Sequence, residues 1–422
     1  MNAIKIILLI IAAIVVGQTT NWEAADQVAV ALIVLLALAW VWSRFSLRGL
    51  SVNRRVASDR TQVGQLLAEQ IEIRNGGRLG KLWLEVLDQS TLPNHAVSRV
   101  VNVPRRGAIA WEVVTHCVRR GRYRLGPLAF RSGDPLGIFP KRSVAPELQE
   151  IIVYPAVIPL ESVPIPTGLL AGGDALDRRT PFTTPNIAGV RDYSPGDAFN
   201  RISWSTTART GRLMVKEFDL DPTADIWLLL DLQGGVHRTA NRPLNFVPNA
   251  AGAFPLEAWL DSTEEYAVTI VASLAGHFLR QRRNVGLIAS GVHLEVIAPD
   301  RSDRQLVKIL EDLAVASADG GLSLAEVLVA EGRRFSRHDS LVVVTPSTDE
   351  SWVATLAEIS GKRVRTAAVL VEPETFAHAP SSLMAISGLV AAGIPAQLVK
   401  YGDDIAATLA VAPGTMAGRY RG

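Results

Sequence analysis

Cysteine is almost missing from this chain. Cys117 is the single one, so neither an intrachain disulfide nor a Cys-based zinc cluster can form. That usage suits a reducing compartment. Cys117 ends the alternating run Trp111, Val113, Thr115, Cys117, which reads as a buried, inert thiol rather than a nucleophile. Histidine is also scarce. The seven residues His95, His116, His237, His277, His293, His338 and His378 are scattered, and none forms a His-x-x-x-His pair. There is no G-x-x-x-x-G-K-(S/T) loop and no G-x-S-x-G elbow. An excess of charge of either sign is lacking too. Lys and Arg number 43 against 41 Asp and Glu, a net charge of +2, so no global field points to nucleic acid. No internal repeat is evident.

What is present begins with two apolar runs, Ile6 to Gly17 and Val28 to Trp42. Flanking residues extend each toward the ~20 residues that span a bilayer. Between them Gln18 to Gln27 is polar and carries Glu23 and Asp26 but no Lys or Arg. After the second run come Arg44, Arg48, Arg54 and Arg55. The positive-inside rule then puts both ends of the hairpin in the cytoplasm. Trp22, Trp40 and Trp42 suit the interface belts. A cleaved signal peptide is the competing reading of the first run. The small-x-small site around Val16-Gly17-Gln18 is poor, which favours an uncleaved two-helix anchor in the inner (plasma) membrane.

At 422 residues the chain is too long for one ordinary domain. Residues 1–45 form the predicted transmembrane hairpin. Residues 46–150 read as β: Gln70 to Arg74 alternates, Asn75-Gly76-Gly77 is a turn, and Leu82 to Val86, Val97 to Val103 and Ala110 to Val118 continue the pattern. Short strands with regular turns predict an antiparallel sandwich, immunoglobulin- or fibronectin-like. Residues 151–220 form a connector that includes a Gly-, Asp-, Thr- and Arg-rich loop over Thr167 to Pro185. Residues 221–422 alternate strands and helices, which argues a doubly wound, Rossmann-type α/β domain. Its first strand, Asp225 to Leu232, is nearly all apolar, as a strand buried on both faces must be. Ser262 to Glu265 fits a capping box ahead of an amphipathic helix, on which His277 reads as a surface or boundary residue.

The densest stretch is Gly189 to Glu217. Ser194-Pro195-Gly196-Asp197 reads as a tight turn, with Pro195 pre-setting φ and Gly196 supplying φ > 0. Asp197 sits where a helix N-cap belongs, Ala198 to Arg209 can run as a helix, and Gly211 can end it. Leu213 to Phe218 reads as a strand. Arg191, Asp192, Tyr193, Pro195, Gly196, Asp197, Arg201, Ile202, Trp204, Thr207, Ala208, Arg209, Leu213, Val215 and Lys216 stand at fixed spacings. This pattern resembles the core motif of the domain of unknown function 58 family. Gly121 to Gly126 and Asp134 to Phe139 also resemble that family, where they close the sandwich. The charged residues of the motif have two readings, a structural ion-pair network that clamps domains or a surface for a protein partner. Catalysis within it is disfavoured, because no His or Cys lies there to pair with a nucleophile.

The resemblance implies a membrane anchor, a sandwich and a von Willebrand factor A-like α/β domain. Such domains often hold a divalent metal through D-x-S-x-S after the first strand, a Thr in a later loop and an Asp after the fourth strand. Here Asp231 holds the first place, Gln233 and Gly235 replace the two Ser, Gly320-Gly321-Leu322 has only Ser323 beside it, and Asp349 follows the fourth strand. Mg²⁺ needs more hard oxygen ligands than that. The expectation is a degenerate site and no cofactor, with Asp231 together with Asp349 or Ser323, plus waters, on Mg²⁺ as the alternative. The long insertion Gly234 to Asp261 follows that strand end and is a candidate cover or recognition surface. The resemblance further implies a non-enzymatic adaptor for a MoxR-type AAA+ ATPase in protein-complex maturation or envelope function. A metal-dependent adhesion-type module and a membrane-bound hydrolase with an unrecognised site are the alternatives.

Overall fold

Two apolar helices open the chain, α1 (Asn2–Thr20) and α2 (Glu23–Ser46), each running beyond the apolar stretch that predicts it. The computed structural model describes residues 2–164, 187–193, 202–218, 225–241, 259–337 and 339–411. At 1.5 Å per residue the two helices measure about 29 and 36 Å, and both are long and apolar enough to cross a membrane. Their large side chains face outward, Leu8 and Leu38 among them. The chain divides into two compact units, one built on Met1–Ala156 and the other on Val157–Asn245, Leu260–Ile309 and Ala316–Gly422.

In the first unit α2 leads within a few residues into β1 (Leu50–Val56), β2 (Arg60–Gln62) and β3 (Leu66–Asn75). Then follow β4 (Lys81–Asp88), β5 (Arg99–Val103), β6 (Ala108–His116), β7 (Gly121–Leu125), β8 (Leu128–Ser132), β9 (Lys141–Ala145) and β10 (Gln149–Tyr154). One antiparallel sheet has the order β1-β3-β6 and a second the order β5-β4-β8-β9. A short third sheet, β2-β10-β7, continues at one end. Along β3 every second residue is buried, which sends Leu67, Ile71 and Ile73 inward. Ile71 and Ile73 meet Leu84 and Val86 of β4, Val101 and Val103 of β5, and Leu128 and Phe130 of β8, while Leu67 packs with Cys117, Leu125, Ile151 and Val153 in a second core. Cys117 is fully buried just past β6, and burial pushes its thiol up.

The second unit holds a small antiparallel pair and a large mixed sheet. β11 (Ile187–Asp192) pairs with β12 (Met214–Phe218), placing Val190 opposite Lys216 and Arg191 opposite Val215. Between them lies α3 (Trp204–Thr210). This corrects the expected helix start. Ile202 is buried and bridges to Val215, and the Ser203 N–H donates to the Met214 carbonyl (2.8 Å), so the chain is still extended there. Burying a β-branched residue on the ladder outweighs early helix formation. Gly211 does end the helix, in the left-handed region at φ 72°.

The large sheet begins with β13 (Ile226–Asp231), every residue of which is buried. After α4 (Thr263–Arg280) come β14 (Val285–Ser290) and β15 (Leu294–Asp300), an antiparallel hairpin as expected. Then follow α5 (Asp303–Val315), α6 (Leu324–Glu331), β16 (Ser340–Thr345), α7 (Ser351–Gly361), β17 (Arg365–Val371), α8 (Leu383–Ala391), β18 (Ala396–Val399) and α9 (Ile405–Ala410). The strand order is β15-β14-β13-β16-β17-β18, parallel except at the β15 edge. Trp227, Leu229, Leu341 and Val343 pack with Val327 of α6, Trp352 and Leu356 of α7 and Leu389 of α8. The alternate residues Leu228 and Leu230 point the other way, and α4 runs against β13, β14, β16 and β17. Helices therefore cover both faces. Ser262 caps α4 by accepting from the Glu265 N–H (3.2 Å). His277 is buried rather than on a boundary: its Nδ1 lies 2.9 Å from the Leu160 carbonyl oxygen.

Candidate functional site

The sheet order reverses between β13 and β16. In such sheets the crevice for a ligand lies beyond the carboxyl ends of the strands at that reversal. Three of the four inner strands end there in a buried polar residue: Asp231 on β13, Ser290 on β14 and Thr345 on β16. Just past β17, Glu372 is buried as well, and its carboxylate accepts from the Ser382 N–H (3.1 Å) and hydroxyl (2.6 Å).

Asp231 is fully buried, and both of its oxygens are engaged. Thr345 Oγ1 donates to Oδ2 at 2.6 Å and the Gln233 N–H donates to Oδ1 at 3.0 Å. Thr345 is oriented in turn by the Ser347 N–H, which donates to its Oγ1 at 2.8 Å. The Asp231 carbonyl lies 2.9 Å from His237 Nε2, and the other ring nitrogen is 3.1 Å from Thr263 Oγ1 at the start of α4. A carbonyl can only accept, so Nε2 carries a proton. Burial pushes the Asp231 carboxyl above its ordinary range, against the lowering effect of the Thr345 and Gln233 hydrogen bonds.

The strand end is sealed by backbone. Gln233 bridges to Gly320: the Gly320 N–H donates to the Leu232 carbonyl (2.9 Å) and the Gly234 N–H to the Gly320 carbonyl (3.0 Å). A Cβ on Gly320 would stand 2.6 Å from the Ser290 carbonyl oxygen, so only glycine allows this approach.

The expected metal partners are committed elsewhere. Ser323 caps α6 in a reciprocal box with Glu326, accepting its N–H at 3.3 Å and donating to its carboxylate at 2.8 Å. Asp349 accepts from the N–H (3.1 Å) and hydroxyl (2.5 Å) of Ser351 at the start of α7. Among the described residues no group of three or more His, Cys, Asp or Glu could hold a metal ion. The donors present do not fit an octahedral cation. Residues 242–258 of the insertion lie outside the described residues.

The motif residues are brought together in part. Arg191 and Asp192 lie on β11 and Lys216 on β12. The Tyr193 N–H donates to the Leu213 carbonyl (2.9 Å). Pro195, Gly196, Asp197 and Arg201 lie outside the described residues, as does the loop over 165–186. Trp204 opens α3 with 65% of its surface exposed, and Arg209 is exposed on the last turn. Val190 (39%) and Leu213 (45%) are large apolar residues exposed on the same small substructure.

A second polar cluster escapes motif reasoning altogether. In the first unit, Arg54 of β1 sets Nε 3.2 Å from Glu69 and Nη2 3.2 Å from Asp88. His95 Nε2 lies 3.2 Å from both carboxylates, and its Nδ1 is 2.7 Å from Thr115 Oγ1. All four charged side chains are at most 5% exposed. Burial acts to depress His95, but the hydrogen bonds and charges of Asp88 and Glu69 win and raise it to about 9. Two cations then balance two anions. Arg54 is thereby removed from the charges expected to flank the membrane. The sequence signal was parity: Glu69 shares the inward register of Leu67, Ile71 and Ile73, and a carboxylate on a buried face must have a partner.

The family model described as "Protein of unknown function DUF58" matches residues 189–242, a span that begins within β11 and contains α3, β12 and β13. A Bacillus subtilis (strain 168) protein, "Uncharacterized protein YeaD", is 26% identical over 251 residues, 58% of this chain and 56% of that protein. The chain thus spans just over half the length of that relative. Both findings support the family resemblance carried by the motif. Among solved structures, the CARDB domain of the PF1109 protein from Pyrococcus furiosus, in complex with di-metal ions, is 15% identical over 25% of this chain and 86% of its own, with a TM-score of 0.19. A Paenibacillus sp. cycloisomaltooligosaccharide glucanotransferase is 9% identical over 83% of this chain and 53% of its own, with a TM-score of 0.17. At these scores neither likeness carries an argument.

Proposed function

We propose that this chain is a membrane-anchored, non-enzymatic interaction module of the DUF58 type, with its soluble parts in the cytoplasm and a von Willebrand A-like α/β domain. Its role is that of an adaptor for a MoxR-type AAA+ ATPase in protein-complex maturation or envelope function. The observation that supports it is Trp204, 65% exposed inside the segment that the family model matches. An indole left in water at the head of a short helix, with Val190 and Leu213 exposed on the same substructure, has the composition of an interface anchor. Two apolar helices of spanning length support the anchor. Occupation of both Asp231 oxygens by protein donors disfavours the metal-dependent adhesion reading.

Mild crosslinking in native membranes, followed by co-purification and mass spectrometry, tests the proposal. An AAA+ ATPase recovered with the wild type and lost with Trp204→Ala is the expected result. Recovery of envelope proteins without an ATPase, or a yield unchanged by the substitution, overturns it.

A further inference from the structure

The loop between β8 and β9 is built to project one apolar side chain. Asp134, 5% exposed, spends its carboxylate on the chain that follows: the Leu136 and Ile138 N–H groups donate to Oδ2 (3.0 and 3.2 Å) and the Phe139 N–H to Oδ1 (2.6 Å). The turn closes through Gly137 at φ 67°. Ile138 goes into the protein at 6% exposure, and Leu136 is left out at 59%.

That loop is fastened to the end of α2. Ser43, 4% exposed in the last turn, donates its hydroxyl to the Phe139 carbonyl at 2.7 Å. The Lys81 ammonium donates to the Phe45 carbonyl at 2.8 Å, an oxygen at the helix end that also accepts from the Arg48 N–H (3.2 Å). Leu136 is thus held beside α2 on the bilayer side of Ser43. Between loop and helix runs a groove of about 560 Å³, lined by Pro135 and Leu136 on one side and by Val34, Leu35, Leu38 and Trp42 on the other. From Trp42 to Ala31 it follows about 16 Å of helix axis. Its walls are apolar, and the carboxylate at its rim is saturated by backbone. Val34 (51%) and Leu38 (65%) stand open on it.

Basic residues lie on the other side of the same level. Arg44 and Arg48 follow Ser43 along the chain, and Lys141 and Arg142 open β9 directly after the fastened Phe139 and Pro140. Cations at the helix end above an apolar cleft match phospholipid, with headgroups against the Arg and Lys side chains and acyl chain below.

We propose that the Asp134–Phe139 loop is a second membrane contact of the first unit, with Leu136 inserted into the leaflet beside α2 and the groove between them filled by a phospholipid acyl chain. This rests on the reading of α2 as a membrane span. It assigns the loop a role that the anchor alone does not require, fixing the tilt of the β-sandwich on the bilayer surface.

The test uses the full chain in a Cys117→Ala background, reconstituted into phosphatidylglycerol–phosphatidylethanolamine vesicles. Single nitroxide labels are placed at Leu38→Cys, Leu136→Cys and Leu148→Cys. Leu148, 58% exposed between β9 and β10, is the aqueous reference. Power saturation with oxygen and with a water-soluble nickel chelate reads the surroundings. The expected result is that position 136 resembles position 38, with an oxygen-to-nickel accessibility ratio several-fold above that of position 148. A ratio at 136 equal to that at 148, with 38 in lipid, overturns the loop contact and leaves the anchor standing. A label at 136 shielded from both reagents means a protein segment covers it, and the lipid assignment fails. Nickel access at 38 overturns the anchor, and the groove assignment with it.

Discussion

The Thr345 hydroxyl donates to the Asp231 carboxylate across 2.6 Å, joining the ends of two neighbouring strands at the point where the sheet order reverses.

Thr345→Val keeps the shape and removes the donor. It is expected to destabilise the second unit by about 1–3 kcal/mol, the cost of leaving a buried acceptor short of a partner. Urea unfolding followed by circular dichroism measures it.

Asp231 gives a pH test with a definite sign. Burial raises its carboxyl in the folded chain, so the folded state holds the proton more tightly than the unfolded state. Its stabilising effect is present at acid pH and is lost as pH climbs from the ordinary carboxylate range toward the raised folded value. Asp231→Asn is expected to flatten this part of the profile. Parallel wild-type and variant profiles between pH 4 and about 7 would refute the assignment.

The buried cluster in the first unit titrates at the other end of the scale. His95 is raised from 6.5 to about 9, so its contribution is whole below the lower value and lost as pH rises through the upper. The shift sets an upper bound of about 3 kcal/mol. His95→Gln leaves Glu69 and Asp88 with Arg54 as the one positive partner, so a loss of up to about 3 kcal/mol at neutral pH is expected, with the alkaline fall abolished. Thermal unfolding from pH 6 to 10 shows both effects.

Trp204→Ala should leave the fold almost untouched, within about 0.5 kcal/mol, because the side chain is largely in solvent. A loss of several kcal/mol would instead assign the indole to packing and remove the main support for an interface there.

Gly320→Ala places a methyl against the Ser290 and Leu232 carbonyl oxygens at 2.6 and 3.0 Å. Backbone cannot step aside cheaply, so a cost of about 1–3 kcal/mol is expected by chemical denaturation.

Periodicity alone determined much of the architecture. The spanning length of α1 and α2, the alternation of β3 and the continuous apolar runs of β13 and β16 are local patterns, and local patterns are what a sequence displays directly. The Gly211 cap and the Ser262 cap were legible for the same reason, since each is decided within four residues. Pairing across distance was not. Ile202 looks like a helix residue until Val215 is beside it, and His277 looks amphipathic until Leu160 covers it. Asp231 could be named as the polar residue at the end of the first strand, but its partner Thr345 lies 114 residues away, and only the order of strands brings them together. Arg54, Glu69, Asp88 and His95 come from separate parts of the sandwich, and their charges acquire meaning only once water is excluded around them. Burial is a property of the assembled fold. It turned an arginine expected at the membrane surface into the centre of an ion cluster, and left a tryptophan of the motif standing in solvent.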